Sequence, residues 1–368
     1  MKKEKHFDRP LFFLAIGLAL FGVIMIGSAS VLYAKTHFND PYFLVKKQLL
    51  SGFLPGLLVL YIFQKIDYHF WKKVSVIFFF ITLLFLMLVF VPGIGSTVYG
   101  ASRWIDLGFI SFQPSEMAKL SIILYLAAWL ESKGKSKIED FYEGLVPFIA
   151  ILGIMGFLIL KQPDTGTLGA IILISVSIYF ASGAKISHIF SLFISGIIGL
   201  LVLIKMAPYR MNRFKVFLNP ELDPQGIGYQ VNQALLAIGS GGFFGLGFGH
   251  SRQKLNYLPE PMGDSIFAVI CEELGLVGAL LILVAFVIFA ARALKIANNA
   301  SDEFGKLVAV GIVSWIIFQA FINIAAITSL IPLTGIPLPF ISYGGTSLVF
   351  LMAAVGILLN ISKRSKMS

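Results

Sequence analysis

This chain of 368 residues has little charge and almost no cysteine. Charged residues make up only 13% of the sequence, whereas about a quarter of a soluble domain is charged. The one cysteine, Cys271, lies in an apolar run, so no disulfide can form within the chain. Hydrophobic residues reach 57% and the mean hydropathy is +0.87. These values exclude a soluble or disulfide-stabilised domain and indicate a polytopic membrane protein.

Several signatures of nucleotide and metal chemistry are also missing. No Walker A sequence occurs, and the glycines between residues 239 and 249 do not match the GxGxxG spacing. The five histidines are scattered and show neither HExxH nor another paired spacing. We therefore expect no ATP-driven motor, no metal site and no resident cofactor, although a divalent cation could assist a reaction.

Apolar windows long enough to cross a bilayer recur along the chain. We predict ten, at residues 11–33, 46–64, 74–92, 113–131, 144–161, 166–183, 187–206, 265–291, 307–329 and 341–361. The eighth is longer than a bilayer requires, so we expect it to tilt or to begin outside the hydrocarbon. The predicted fold is an all-α polytopic membrane protein of about ten spans, with residues 1–368 forming a single domain.

Basic residues orient these spans. With a cytoplasmic N-terminus, ten spans return the C-terminus to the cytoplasm, and the cytoplasmic segments hold 17 of the 29 Lys and Arg residues. The net charge of +10 follows mostly from this bias, so we expect no nucleic-acid partner. The N-terminal segment resembles a signal peptide, but its apolar run is too long, and we predict an uncleaved first span.

In this topology one large loop, about residues 207–264, faces outward between the seventh and eighth spans. A connection this long is uncommon unless it is functional. Its basic residues suit anionic lipid headgroups or a pyrophosphate, although a solvated loop of balanced charge is the alternative. Its glycine-rich stretch, GSGGFFGLGFG, is either a re-entrant turn or flexible chain. The basic residues of the loop are Arg210, Arg213, Lys215, Arg252 and Lys254.

An irregular segment, IPLTGIPLPFISYGGTS at residues 331–347, lies between the last two apolar stretches. Its three prolines and three glycines cannot continue a helix. In hydrocarbon, such a backbone survives only where it is buried in protein or lines a watery cavity. The segment is therefore either part of a site or a rigid turn between two spans.

Asp264 closes the large loop and opens the eighth span. An aspartate there either caps the helix or serves as a carboxylate that accepts a proton from a hydroxyl. Glu272 lies eight residues further along, on the same helix face and about two turns deeper, and Glu273 adjoins it. Acidic groups inside a span are expensive and usually face the protein interior.

Two further polar groups lie at membrane depth. Glu116 and Lys119 are three residues apart in the fourth span, so they share a helix face and either neutralise each other or line a site. Asp164, in a tight turn between the fifth and sixth spans, either caps the sixth span or lines the same cavity. We predict that all three line one cavity.

Sequence motifs along nearly the whole chain resemble one known family. They are GSAS, YGASRWIDLG, QPSEMAKL, QPDTGT, FLNPELDPQGIGYQVNQALLAIGSGG, QKLNYLPE, DSIFAVICEELG and TGIPLPFISYGGTS. Each motif is weak alone, but together they resemble the shape, elongation, division and sporulation family of bacterial membrane glycosyltransferases. QKLNYLPE and TGIPLPFISYGGTS look more like the division branch than the elongation branch, and a sporulation-type relative would look much the same.

The resemblance implies a polymerase that joins lipid II into peptidoglycan glycan strands and releases undecaprenyl pyrophosphate. The family's proposed catalytic aspartate maps to Asp264. The usual pattern there is closer to LPEAHTDFIFA, whereas this chain has Met262 and Gly263 in place of His-Thr and Ser265 in place of Phe. QPDTGT likewise carries Thr165 where a larger apolar residue is common. The hydrogen bonds around the carboxylate are therefore expected to differ from the family pattern.

The implied reaction also needs substrate contacts and partners. A leaving pyrophosphate needs cationic stabilisation, for which Arg103, Lys119, Arg210 and Lys254 are candidates. The full set of expected substrate-binding residues is Arg103, Glu116, Lys119, Asp164, Arg210, Lys254, Glu272 and Ser342. The resemblance further implies a class B penicillin-binding protein as transpeptidase partner, other divisome proteins, and a place in the bacterial inner membrane at the division septum.

Two other functions fit the same features. Spans with intramembrane charges and broken segments suit a transporter that flips lipid II. Against it, the polar residues concentrate near the outer face and no two-halves repeat is visible. A scaffold that only recruits a transpeptidase is the third interpretation, and the acidic and basic site residues argue against it. Purified protein with lipid II in detergent separates these functions, because detergent removes the two sides that a flippase requires.

Overall fold

The computed structural model describes residues 7–98, 101–106, 111–223 and 225–365. Most of these residues are helical. The α-helices are α1 (Arg9–Phe38), α2 (Phe43–Gln48), α3 (Leu54–Phe63), α4 (Tyr68–Leu88), α5 (Pro114–Lys133), α6 (Lys135–Ile138), α7 (Val146–Lys161), α8 (Thr165–Ala181), α9 (Ile186–Met206), α10 (Pro208–Leu218), α11 (Ile227–Ser240), α12 (Ile266–Asn298), α13 (Glu303–Ile327) and α14 (Gly345–Arg364). Two π-helical turns, Leu49–Phe53 and Phe141–Leu145, lead into α3 and α7, and a 3-10 turn, Pro220–Leu222, follows α10.

Within the described residues, eight helical stretches are long and apolar enough to cross a membrane. The apolar α8 has 17 residues, and α5 carries the charges of Glu116, Lys119, Glu131 and Lys133. Each of the ten predicted windows overlaps an α-helix of the structure. The windows at 46–64 and 144–161 also include all or part of the π-helical turn that leads into the helix. The predicted class, a polytopic helical membrane protein, is thus confirmed, whereas the number of ten spans stays a prediction.

A small antiparallel sheet lies in the connection between α4 and α5. Its strands are β1 (Gly95–Val98), β2 (Ala101–Asp106) and β3 (Ser111–Phe112), paired in that order. The register of β1 on β2 shifts between Ser96 and Thr97, as at a β-bulge. Hydropathy windows chosen for membrane helices are too long to register strands of two to six residues. The sheet was accordingly not anticipated from the sequence.

Helices α5, α13 and α14 form the centre of the bundle. Of the most apolar stretch of each helix, 61% of the residues are buried in α13 and 72% in α14, whereas none are buried in α9. Because the most apolar stretch of α9 has no buried residue, α9 lies at the periphery of the bundle, where its apolar surface suits lipid. Glu116 and Lys119 of α5 and Gln319 and Asn323 of α13 are buried, as expected for costly groups at membrane depth.

Helix α12 is broken at Gly275, which adopts φ 66° and ψ −165°. The glycine-rich stretch of the large loop packs against the break. Leu246 and Gly247 donate their N–H groups to the carbonyls of Glu272 and Glu273. The N–H groups after the break are satisfied in the same way, by the carbonyls of Gly242 and Phe243. Interrupted helices persist in a membrane when neighbouring backbone satisfies the freed groups, which favours the re-entrant interpretation of this stretch.

The irregular segment between α13 and α14 reaches deep into the protein. Its backbone at Phe340 and Ile341 packs on Gly22, near the middle of α1, where an added Cβ would lie 2.6 Å from the Ile341 Cα. Phe340 and Ile341 are both buried. At Phe340 and Ile341, non-helical backbone at the depth of a spanning helix is thus enclosed by protein, one of the two situations that the sequence left open. The window expected at 341–361 accordingly starts as helix only at Gly345.

Candidate active site around Asp264

Asp264 lies in the loop that leads into α12, and its side chain is partly exposed. Its Oδ1 lies 3.4 Å from Gln230 Nε2 on α11 and 3.5 Å from the hydroxyl of Ser265. Gln230 also donates to the Ser265 hydroxyl, at 3.2 Å. The N-cap of α12 is Ser265 and has no side-chain capping bond. Helix capping, one of the two interpretations of Asp264, is therefore not the role that the structure gives this carboxylate.

The surroundings of Asp264 favour its protonated form. Burial raises the pKa of Asp264 to about 6, and the nearby charge of Glu260 acts in the same direction. The hydrogen bond from Gln230 and the charge of Arg213 lower the pKa but do not offset burial. A carboxyl group with a pKa near 6 is ionised at neutral pH and still basic enough to accept a proton in a reaction.

The irregular segment holds the backbone around Asp264. Asn323 of α13 donates its side-chain N–H groups to the carbonyls of Asp264 and Ile336, both at 2.8 Å. Ser342 donates to the carbonyl of Gly263 at 2.7 Å, and the N–H of Tyr343 donates to the carbonyl of Met262 at 2.8 Å. Met262 and Gly263 thus contribute through their carbonyls, so different side chains at these two positions are compatible with this frame.

Arg213 on α10 is the cation that the sequence did not single out. Its Nη1 donates to the carbonyl of Leu333 in the irregular segment, at 3.2 Å. Burial, followed by the nearby Arg103, lowers the pKa of Arg213, whereas Asp264 and Asp164 act in the opposite direction. Arg213 therefore lies within electrostatic reach of both carboxylates. In the sequence, Arg213 lies about one helical turn after Arg210. This spacing does not show which of the two arginines belongs to the site.

Arg103 of β2 and the turn before α8 complete this cluster. Arg103 donates to the carbonyls of Gln162 at 3.2 Å and Pro163 at 2.5 Å. Asp164 is buried and caps α8 by accepting from the N–H of Thr167 at 3.2 Å. The two interpretations of Asp164 are not exclusive, because the capping carboxylate also acts on the charge of Arg213. Arg103, Asp164, Arg213 and Asp264 are thus gathered around the irregular segment.

Glu116 and Lys119 form a buried ion pair on α5. Lys119 Nζ lies 2.7 Å from Glu116 Oε1 and 2.8 Å from Gln319 Oε1 of α13, and both charged side chains are at most 3% exposed. Gln319 in turn donates to the carbonyl of Pro337 at 2.9 Å. Glu116 Oε2 is buried and has no hydrogen-bond partner. The pair thus adjoins the irregular segment, and its position in one cavity with Asp164 stays a prediction.

We expect Lys119→Met to destabilise the protein by about 3–5 kcal/mol, because it leaves a buried carboxylate without its cation. The measurement is the thermal unfolding midpoint in detergent. Lys46→Met is the matched control, because Lys46 pairs with Asp40 at the same 2.7 Å but is 63% exposed, and such surface pairs contribute about 0–1 kcal/mol. Equal effects of the two substitutions would contradict a structural contribution of the buried pair.

The remaining predicted residues have partners of their own. Arg210 donates to the carbonyl of Leu203 at 3.2 Å and stacks on Tyr209. Lys254 forms a buried ion pair with Glu273. Glu272 accepts from the hydroxyl of Ser251 and from two backbone N–H groups of the large loop. Ser342 accepts from the N–H of Leu338. Their substrate contacts stay predictions, and the described bonds connect Arg210, Lys254 and Glu272 to groups other than Asp264.

Comparisons with known proteins agree with this architecture. A family model described as "Cell cycle protein" (FTSW_RODA_SPOVE) matches residues 8–367. The chain is 43% identical over 364 residues to Stage V sporulation protein E of Bacillus subtilis (strain 168), covering 99% of each chain. It is 40% identical over 366 residues to the probable peptidoglycan glycosyltransferase FtsW of Geobacter sp. (strain M18), covering 100% of this chain and 99% of that one.

Solved structures are similar to this chain over nearly its whole length. A chain from a study titled "Structural coordination of polymerization and crosslinking by a peptidoglycan synthase complex" matches with a TM-score of 0.80 at 26% identity, covering 98% of this chain and 99% of that one. The rod shape determining protein RodA of Thermus thermophilus matches with a TM-score of 0.72 at 26% identity, covering 98% of both chains. The chain therefore belongs to the family of FtsW, RodA and SpoVE, and the predicted resemblance is confirmed.

Proposed function

We propose that this protein is a peptidoglycan glycosyltransferase that polymerises lipid II, with Asp264 as the general base. The observation that carries the proposal is the partly exposed Asp264 carboxyl, whose pKa is raised to about 6 and which lies within electrostatic reach of Arg213. A general base works best when its pKa lies near the operating pH. Relatives of this chain carry the name of the same activity.

The reaction transfers one proton and exchanges one bond at a sugar carbon. Asp264 accepts the proton of the 4-hydroxyl on the acceptor lipid II sugar. The hydroxyl oxygen then attacks the anomeric carbon of the lipid-linked strand, and the bond from that carbon to the pyrophosphate oxygen breaks. Undecaprenyl pyrophosphate leaves with the bonding electrons, and the anomeric configuration inverts because attack and departure occur on opposite faces.

The leaving pyrophosphate gains negative charge, which needs cations placed in advance. The charge of Arg103 lowers the pKa of Arg213, so the two positive charges repel each other, and an anion bound between the two guanidinium groups would stabilise both. We propose that this pair binds the pyrophosphate, whereas the ammonium of Lys119 is directed to Glu116 and Gln319. No resident cofactor enters the proposal. A divalent cation on the pyrophosphate would add to the arginines.

The relatives support a biological setting for this activity. One similar chain comes from a complex in which polymerization and crosslinking are coordinated, and the Geobacter relative is an FtsW. We propose that this protein polymerises glycan strands during cell division and works with a class B penicillin-binding protein as transpeptidase and with other divisome proteins. It lies in the bacterial inner membrane at the septum, with both termini in the cytoplasm.

The direct test is a polymerisation assay with purified protein and lipid II in detergent, with and without a transpeptidase partner. We expect glycan strands, resolved on a gel after enzymatic release from the lipid. A protein that binds lipid II but forms no strands under either condition would overturn the proposal. Lipid II movement across sealed vesicles without strand formation would instead establish the transporter.

The pH profile tests the role of Asp264 separately. Because the base must be ionised, and because burial raises its pKa to about 6, activity should be lost as pH falls through about 6. Below that pH the rate should drop about tenfold per pH unit. Initial rates between pH 4.5 and 8, with the unfolding midpoint recorded at each pH, check this. A rate that stays constant down to pH 4.5 would contradict a base with a raised pKa.

Cysteine labelling tests the proposed topology. In the variant Asp223→Cys, a membrane-impermeant maleimide added to intact cells should label the protein. In Lys135→Cys it should label only after the cells are broken. The native Cys271 is 4% exposed and gives little background. The reverse labelling pattern would contradict cytoplasmic termini and the outward position of the site.

A further inference from the structure

The helical segment that follows Asp264 is short and needs an external support. Asp264 lies two residues before α12, and the first segment of α12, Ile266–Leu274, ends at the break at Gly275 and is called the half-helix below. A helix of nine residues has little stability of its own and takes its orientation from the groups that hold it. The position of the Asp264 carboxyl therefore depends on what fixes this half-helix.

The backbone of the glycine-rich stretch fixes the far end of the half-helix. An added Cβ at Gly241 would lie 1.9 Å from the carbonyl oxygen of Cys271, and one at Gly245 would lie 2.1 Å from that of Glu273. At Gly275 it would lie 2.4 Å from the N atom of Gly245. No side chain fits at these contacts, so the stretch and the half-helix pack backbone to backbone as one unit.

Three buried side chains attach this unit to α1. Glu273 is fully buried, and its Oε1 lies 2.6 Å from Lys254 Nζ. The hydroxyl of Ser28, on α1, lies 2.7 and 2.9 Å from the two carboxylate oxygens of Glu273. Lys254 Nζ donates to Ser28 Oγ and to the carbonyl of Gly249, both at 2.8 Å. We name Lys254, Glu273 and Ser28 the brace.

The brace makes more contacts than the neutralisation of two buried charges requires. A buried ion pair needs only its two charges and their hydrogen bonds, and apolar residues of similar volume are often equally stable. Here the pair also joins three separate parts of the chain, namely α1, the large loop and the half-helix. Adjacent to it, Glu272 holds the loop through the N–H of Arg252 at 2.9 Å.

We propose that Lys254, Glu273 and Ser28 are positioning residues that set the orientation of the half-helix and thereby the place of the Asp264 carboxyl. The proposal rests on the proposed function. Its consequence is that loosening the brace slows the chemical step while the protein stays folded and still binds lipid II. Misplacement of a reacting group by about 1 Å can lower a rate about 100-fold.

The first test is the double variant Lys254→Met, Glu273→Gln, which removes both charges at nearly constant volume. We expect kcat for lipid II polymerisation to fall about 10–100-fold, with an unchanged KM and an unfolding midpoint like that of the parent. A parent-like kcat in the folded double variant would overturn the proposal and leave the brace a purely structural ion pair. A parent protein that forms no strands would instead count against the proposed function.

The second test needs no change of charge and decides the matter if the double variant does not fold. Ser28→Ala detaches the ion pair from α1, whereas Ser30→Ala removes a hydroxyl from the same helix that is buried but without a hydrogen-bond partner. We expect Ser28→Ala to lower kcat severalfold and Ser30→Ala to leave it unchanged. Equal kcat values for the two variants would overturn the proposal.

A loss of stability alone would not shift the pH dependence of kcat, so this pH dependence tests the positioning role separately. The groups that face Asp264 are Glu260 from its own loop, Arg213 from α10 and the neutral Gln230 from α11. If the half-helix shifts, the partly exposed carboxyl becomes more exposed to water, and its pKa falls toward the ordinary aspartate range. The acidic limb of the kcat profile of Ser28→Ala should therefore move to lower pH. An unmoved limb together with an unchanged kcat would contradict the positioning role.

Discussion

Asp264→Asn should lower the rate of lipid II polymerisation by about 10²–10⁴-fold, the usual contribution of a general base. Asparagine keeps the shape of the side chain and an oxygen that can accept from Gln230, but it cannot take up the acceptor proton. The measurement is the initial rate of strand formation by purified protein. Asp40→Asn is the control, because Asp40 is an aspartate of another loop that is hydrogen-bonded to Lys46, and it should retain the parent rate.

Stability distinguishes this outcome from simple unfolding. The pKa of Asp264 is raised above its value in an unfolded chain, so ionised Asp264 stabilises the fold less at pH 7 than the protonated group does at low pH. Removing the charge should thus leave the unfolding midpoint unchanged or slightly raised at pH 7. A variant that polymerises at the parent rate would exclude Asp264 as the base and direct attention to Asp164, Glu272 or Glu273.

The main outline of this fold could be predicted because a bilayer imposes a simple rule. Each spanning helix needs about 20 apolar residues, and this requirement is visible in a hydropathy window. The burial of Phe340 and Ile341 also follows from a rule, since irregular backbone in hydrocarbon must be covered by protein or line a watery cavity. The break at Gly275 was not predictable in the same way, because its freed backbone groups are satisfied by a stretch more than 25 residues earlier in the chain.

The residues of the candidate site also divide into those that the sequence could predict and those that it could not. Asp264 could be proposed from its place at the mouth of a span and from the family resemblance. Costly charges at membrane depth mark functional groups in general, but the rule does not say which of them are already paired. Glu272 and Glu273 both met it, yet Glu272 accepts hydrogen bonds from the large loop and Glu273 is paired with Lys254 of that loop. Arg213 lies outside the spans, and only the folded chain brings it near Asp164 and Asp264.

Arg213→Gln should lower kcat about 10²–10³-fold, the range expected for loss of one preorganised group that stabilises developing charge. Glutamine still reaches a neighbouring carbonyl such as that of Leu333 but carries no charge for the leaving pyrophosphate. The loss should appear in kcat more than in KM, because the negative charge on the pyrophosphate grows in the transition state. Initial rates over a range of lipid II concentrations separate the two constants.

Lys215→Gln is the matched control for this prediction, because Lys215 lies two residues further along α10 and is exposed. It should leave both constants unchanged. Arg213→Lys should recover only part of the rate, since an ammonium group is a point charge that cannot form the paired hydrogen bonds of a guanidinium. If Arg213→Gln raised KM alone, Arg213 would bind the substrate equally in the ground and transition states, and stabilisation of the leaving group would have to come from Arg103 or from a divalent cation.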